Sequence, residues 1–200
     1  MALGTATVSY ELRFDTGRSC LDLLATSHPV ERLRSVEVLR AWITGSGLVP
    51  PGTPLAHADA AWLVDFRELR GRIDLLIRGA LFPEVRNWAS YAPALARVND
   101  AAHTAPPAPR AVRVHDGTLV RELEGPPERA ALLAAVARDA VELLTDPFAR
   151  AGLRQCEGDN CPIVYLDASR GRRRRWCSSE VCGNRERVAR HRRRAALARA

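Results

Sequence analysis

The chain has 200 residues and a formal net charge of +7, with 46% hydrophobic and 26% charged residues. That length suits one domain, or one domain with a small appendage, and the composition is that of a globular rather than a disordered chain. No apolar run approaches the roughly 18 residues of a membrane span, and the opening MALGTATVSY lacks the flank and apolar stretch of a signal peptide. A cytoplasmic protein that meets a polyanion is therefore expected, with no membrane partner.

Val8, Tyr10, Leu12 and Phe14 alternate with polar residues, which predicts a half-buried strand ending near Gly17. Leu33, Val36, Leu39 and Trp42 then recur at helical spacing up to Gly45. Three prolines within 49–54 mark a loop. Trp62, Phe66, Leu69, Ile73 and Leu76 outline the longest helix, about five turns. Val85, Trp88, Leu95 and Val98 predict one or two shorter helices around Pro93. After the proline-rich 104–110, Val112 and Val114 face Leu119 and Leu123 across Asp116-Gly117, a favoured hairpin turn. A lone hairpin is marginal in water, so it should pair with the N-terminal strand or lie on the helices. Leu133, Val136, Ala140 and Leu143 give a last body helix before Asp146-Pro147.

All 30 basic residues are arginine, which fits a compositional bias of the genome. Their placement is more informative. Residues 151–200 carry 13 arginines against 5 acids, a charge of +8, while residues 1–150 carry −1. Four of the five cysteines also fall in the last quarter, as C-x4-C-x15-C-x4-C at Cys156, Cys161, Cys177 and Cys182. Two short knuckles, each offering two thiolates, can close a tetrahedral zinc shell. Gly158 and Asn160 tolerate the positive φ such turns use. Spacing and compartment favour zinc over two disulfides or four unrelated thiols. Four thiolates leave no open position for water, so one structural Zn²⁺ is expected. About 45 residues with few apolar side chains form no core alone, so the metal would supply most of that module's folding free energy. Ile163–Leu166 looks like a short strand, with Trp176 against it and the metal shell.

The body shows weaker signals. Cys20 with His28 is the nearest thing to a nucleophile pair, but a buried thiol and a helix-start Asp22 are the simpler reading. His57, His103 and His115 read as surface residues. No phosphate loop or hydrolase motif is present, and the chain is not expected to be an enzyme.

Asp167-Ala-Ser-Arg-Gly171, Arg174-Arg-Trp-Cys177 and Cys182-Gly-Asn-Arg185 resemble the CGNR zinc finger over roughly 153–194. The preceding body is similar to the ABATE domain of stress-induced transcription regulators, through Leu21-Asp22-Leu23, Leu39-x-x-Trp42-Ile43 and Leu95-x-x-Val98-Asn99. Arg187 stands where that finger usually has lysine, and Pro162 where glycine is common. The resemblance implies DNA binding by the zinc module and bacterial transcription regulation. On a helical wheel after Cys182, Arg187, Arg190 and Arg194 form one stripe and Arg185 and Arg192 a second. Val188 and Ala195 between them should dock this helix on the knuckles. With Arg193 and the loop Arg172, Arg173, Arg174 and Arg175, these arginines form the expected footprint for DNA phosphates.

The expected fold is mainly α (α+β). A helical domain with a small hairpin spans 1–150, and a basic four-cysteine zinc module ending in a helix spans 151–200. The helical domain would sense an effector or partner, or form a homodimer. RNA binding and a basic protein-interaction module are the alternative functions.

Overall fold

The computed structural model describes residues 12–197, apart from the side chains of residue 193 and residues 195–197. The chain order is α1 (Ser19–Ala25), α2 (Val36–Gly45), α3 (Ala60–Leu81), α4 (Trp88–His103), β1 (Pro109–Arg113), β2 (Leu119–Leu123), α5 (Arg129–Thr145), α6 (Pro147–Arg150), β3 (Leu153–Gln155), β4 (Val164–Leu166) and α7 (Asn184–Leu197). The fold is mainly α with two small antiparallel sheets, as expected.

Helix starts follow capping chemistry. Asp59 accepts from the Ala61 and Trp62 amides at 3.0 and 3.2 Å, and Asn87 accepts from Ala89 at 3.0 Å. α3 runs through the core and buries Trp62, Phe66, Leu69, Ile73, Leu76 and Ile77. Trp42 of α2 meets Phe66 edge to face at 5.8 Å. From α5, Leu132, Val136, Ala140 and Leu143 close the same core. Five hydrophobic residues of α1 are buried as well, Cys20, Leu21, Leu23, Leu24 and Ala25, so this short helix is held by its surroundings. Arg70, itself buried, donates to Thr26 Oγ1 and to both oxygens of Glu31, which pins the chain after α1 onto α3.

Three details of the sequence expectations can be followed into the structure. The expected one or two helices around Pro93 are a 3-10 turn, Pro83–Val85, and one continuous helix, α4, with Pro93 inside it. That helix is mostly exposed, and Pro93 sits close enough to its start that one missing amide bond does not break it. The N-terminal strand lies largely outside the described residues, and Leu12 and Phe14 are not in a strand. The β1–β2 hairpin pairs with no third strand among the described residues. It rests on the helices through Leu123, and Arg121 Nη1 donates to Gly47 O at 3.3 Å.

β3 and β4 form the second sheet, with Leu153 opposite Leu166 and Gln155 opposite Val164. Alternation along β4 splits its contacts. Val164 and Leu166 pack into the helical core, while Ile163 and Tyr165 pack with the cysteines and with Ala25 of α1. The backbone is stitched to the body too. Leu166 N donates to Thr16 O at 2.8 Å, and Arg78 reaches Pro162 O at 3.2 Å. The apolar support of the cysteine cluster therefore comes partly from the helical body, in addition to the metal.

Candidate metal centre and nucleic-acid interface

The two knuckles precede and follow β4 in the chain. Cys156 leaves the end of β3, with its amide on Ile163 O at 2.9 Å, and Asn160 takes φ 55° so that the chain can return to Cys161. Cys177 follows Trp176. Ser178 then caps a π-helical turn over Ser179–Gly183 that carries Cys182, its hydroxyl accepting from Val181 N at 3.2 Å. The four sulfurs lie within 4.8 Å of one another.

Their separations test the fit of a metal. Cys161 and Cys177 sulfurs are 3.7 Å apart, and Cys177 and Cys182 sulfurs 3.6 Å. A tetrahedron with zinc–sulfur bonds of about 2.3 Å has edges of about 3.8 Å. Both gaps far exceed a disulfide bond of about 2.05 Å, and all five cysteines are free. The surroundings favour thiolates around a cation. Cys156 Sγ accepts amide hydrogens from Cys177 at 3.3 Å and Gly158 at 3.4 Å. Arg13 Nη1 lies 3.2 Å from Cys177 Sγ, and Arg185 Nη2 lies 3.4 Å from Cys182 Sγ. Crowding against Cys161 together with burial pushes the Cys177 thiol up to about 12, and burial with Cys177 pushes Cys182 up to about 11. A divalent cation is what allows four clustered sulfurs to be deprotonated together. Zinc fits this donor set, and its chemistry here is structural: it crosslinks two turns and leaves no open position.

Two family models match the chain. The model described as "Putative stress-induced transcription regulator", ABATE, covers residues 17–147, and the CGNR zinc finger covers 153–195. The chain belongs to the ABATE family. It carries a CGNR zinc finger after that domain, and the four cysteines are the zinc site of the finger. No curated protein matches the chain closely enough to indicate a relative.

The finger's arginines divide into two groups that their sequence did not distinguish. Arg174 is turned inward. It lies over the Tyr165 ring at 4.6 Å and donates to Trp176 O at 2.8 Å, to Cys177 O and to Asp15 O. Arg175 pairs with Glu157 at 2.6 Å, Arg172 donates to Phe148 O, Arg185 to Asp159 O and Arg187 to Ser179 O. Arg173, Arg190, Arg192 and Arg194 are exposed, with no hydrogen bond or ion pair among the described residues. The side chain of Arg193 lies outside the described set.

The expected docking of α7 through Val188 is corrected. Val188 is 46% exposed, and the side chain of Ala195 is outside the described residues. α7 is anchored at its first turn instead, where Gly183 packs against Trp176 and Arg185 reaches back to the knuckle. Asn184 closes the π-helical turn in helical conformation and is the first residue of α7. Sequence reasoning also missed Arg13 and Ala25, which serve the metal shell from the far end of the chain. No local pattern could have shown them.

Cys20 is fully buried, and burial pushes its thiol well above the ordinary value. Its neighbour is Asp139 rather than His28: the Cys20 amide donates to Asp139 Oδ2 at 2.8 Å. Burial in apolar surroundings disfavours the thiolate that a nucleophile needs. Asp22 is a first-turn residue of α1 that accepts from Thr16 N and Oγ1 at 3.1 and 2.7 Å.

Proposed function

We propose that this chain is a DNA-binding transcription regulator. Its zinc finger displays α7 and the 172–175 loop to duplex phosphates, and its helical domain senses a ligand or partner, or pairs two copies. The single observation that supports it best is the grouping of the exposed arginines. Arg190, Arg192 and Arg194 extend from a helix whose first turn is fixed by the metal knuckle, and Arg173 stands in the adjoining loop. Cations held on a rigid frame and left without protein partners suit a polyanion. No described catalytic constellation accompanies them, so a regulator rather than an enzyme is proposed.

Duplex DNA is favoured over single-stranded RNA by the state of Trp176. Its ring packs against Gly183 and carries the Arg175 guanidinium at 5.4 Å, which leaves less open face for base stacking. Fluorescence anisotropy of the zinc-loaded full chain with a random duplex tests the proposal, with single-stranded RNA as competitor at matched salt. With about six phosphates neutralised, log K should fall against log salt with a slope near −5. No binding, a flat salt response or preferential binding of RNA would overturn it.

A further inference from the structure

The body contains a cleft remote from the cysteines. It has a volume of about 1080 Å³, and it separates the proline loop after α2 from β2 and the turn that follows. Pro50, Pro51 and Pro54 face Val120, Leu123 and Pro126 across it. The proline wall is preformed. Arg40 Nη2 holds the Ala56 and Ala58 carbonyls at 2.9 and 2.6 Å, and Thr53 Oγ1 donates to Pro50 O at 2.7 Å. Small-molecule sites have this character: a rigid apolar concavity with few polar groups.

Three polar features converge there. Arg121 brings a guanidinium whose one described hydrogen bond is to Gly47 O, and no described carboxylate pairs with it. Glu122, the one acid in the lining, is held by Arg110 at 2.9 Å. The hairpin register supplies the second feature. Val114 N donates to Thr118 O and Glu124 N to Ala108 O, so Val120 and Glu122 point their backbone groups at β1. Arg121 and Leu123 consequently direct their amides and carbonyls to the free edge, beside the cleft. His57 is the third. Its Nε2 sits 2.9 Å from Pro127 O, so that nitrogen carries hydrogen and donates to the carbonyl.

We propose that this cleft binds an apolar organic acid. The carboxylate pairs with Arg121, and the hydrocarbon or aromatic body lies between the prolines and β2. Charge complementarity decides the class: apolar walls with one uncompensated cation favour an amphiphilic anion over a neutral or cationic molecule. The site gives a location to the sensing role proposed above and rests on that reading only for its regulatory consequence.

The probe is 1-anilinonaphthalene-8-sulfonate, an apolar aromatic anion whose fluorescence rises in apolar sites, added to the zinc-loaded full chain. One probe should bind per chain, displaced by 2-naphthoate and not by 2-naphthol. Arg121→Gln should weaken binding at least tenfold, and Val120→Trp should abolish it by filling the cleft. Trp88→Ala removes a 63% exposed tryptophan elsewhere and should change nothing. Circular dichroism and zinc content check each variant. Should Val120→Trp misfold, the exposed Arg121 still decides. Wild-type binding by Arg121→Gln, displacement by 2-naphthol as well as 2-naphthoate, or loss of signal in Trp88→Ala would overturn the site. If 2-naphthoate binds as described but leaves duplex affinity unchanged, the site stands and the sensing role falls.

Discussion

Arg174 and Arg190 are both finger arginines, and their truncation should have opposite consequences. Arg174→Ala removes two close hydrogen bonds from a charged donor to backbone carbonyls and a cation–π contact at 4.6 Å. Bonds to charged groups contribute about 1.5 kcal/mol each at the low end, and the ring contact about 0.5 to 1. The freed side chain regains roughly 1.5 to 2 kcal/mol of rotamer entropy, and Arg13 still serves Cys177 O. The net loss is about 2 kcal/mol, or roughly 4 to 8 °C in melting temperature for a chain of this size. Arg190 is exposed and lacks a described partner, so Arg190→Ala should leave stability within about 0.5 kcal/mol. In duplex binding the order reverses. Arg190→Ala should reduce the salt slope by about 0.9, and Arg174→Ala should leave it unchanged at temperatures below its melt. Scanning calorimetry and a salt series of anisotropy titrations give both numbers. An Arg174→Ala protein that melts like the wild type and loses the slope would refute the division of the arginines.

Removing zinc with a chelator, or by Cys177→Ser, should lower the melting of the body helices together with the finger in one transition. Ala25 packs on the cysteine cluster while Leu153 and Val164 lie in the helical core, so an unchanged helical melt after metal loss would show that the two are not coupled. Gly17 has φ 96°, and an added Cβ would meet Leu166 Cβ and O at 3.2 and 3.3 Å. Gly17→Ala should therefore destabilise by about 2 kcal/mol in chemical denaturation, and a neutral result would mean the Thr16–Leu166 junction yields freely. Burial pushes the Asp22 carboxyl up to about 6 against the bonds from Thr16. A carboxyl raised in the folded state favours folding when protonated, so its contribution is lost as pH rises through 6. Between pH 5 and 7 the stability of the wild type relative to Asp22→Asn should fall by about 1 kcal/mol. A gap that does not move with pH would mean that Asp22 titrates normally.

The parts legible from sequence were those with local periodicity or fixed spacing. The stripe from Trp62 to Ile77 specified α3, Asp116-Gly117 specified the hairpin, and the cysteine spacing specified the metal centre. Each depends on residues within a few turns of one another. What remained hidden depends on pairs far apart in the chain. Arg13 meets Cys177, Thr16 meets Leu166, and Ala25 packs under Tyr165. The arginine run 172–175 looked uniform because charge is local, whereas the inward turn of Arg174 depends on Tyr165 and on the carbonyls around Trp176. Val188 misled for a related reason. A single valine among arginines marks a helix face, but here that face stays about half exposed, with Val188 at 46%.

That exposed helix has a further consequence. α7 has 14 residues, close to the length at which an isolated helix is marginal in water. Arg190 and Arg194 are one turn apart, and Arg187 and Arg190 are three residues apart, so like charges oppose the helix along one side. Its stabilising features are at the start, in the Ser178 cap, the Cys182 ligand and the Gly183–Trp176 contact. The helix should therefore be firm at Asn184 and loosen toward Leu197. Neutralising the arginines on a phosphate backbone removes the repulsion and should extend the ordered part. Hydrogen exchange across residues 184–197 should show slow amides near the knuckle and fast ones beyond Arg190 in the free protein, with the fast set slowing on duplex binding. Uniform protection before DNA is added would show that the metal-anchored turn is not what sets the order of α7.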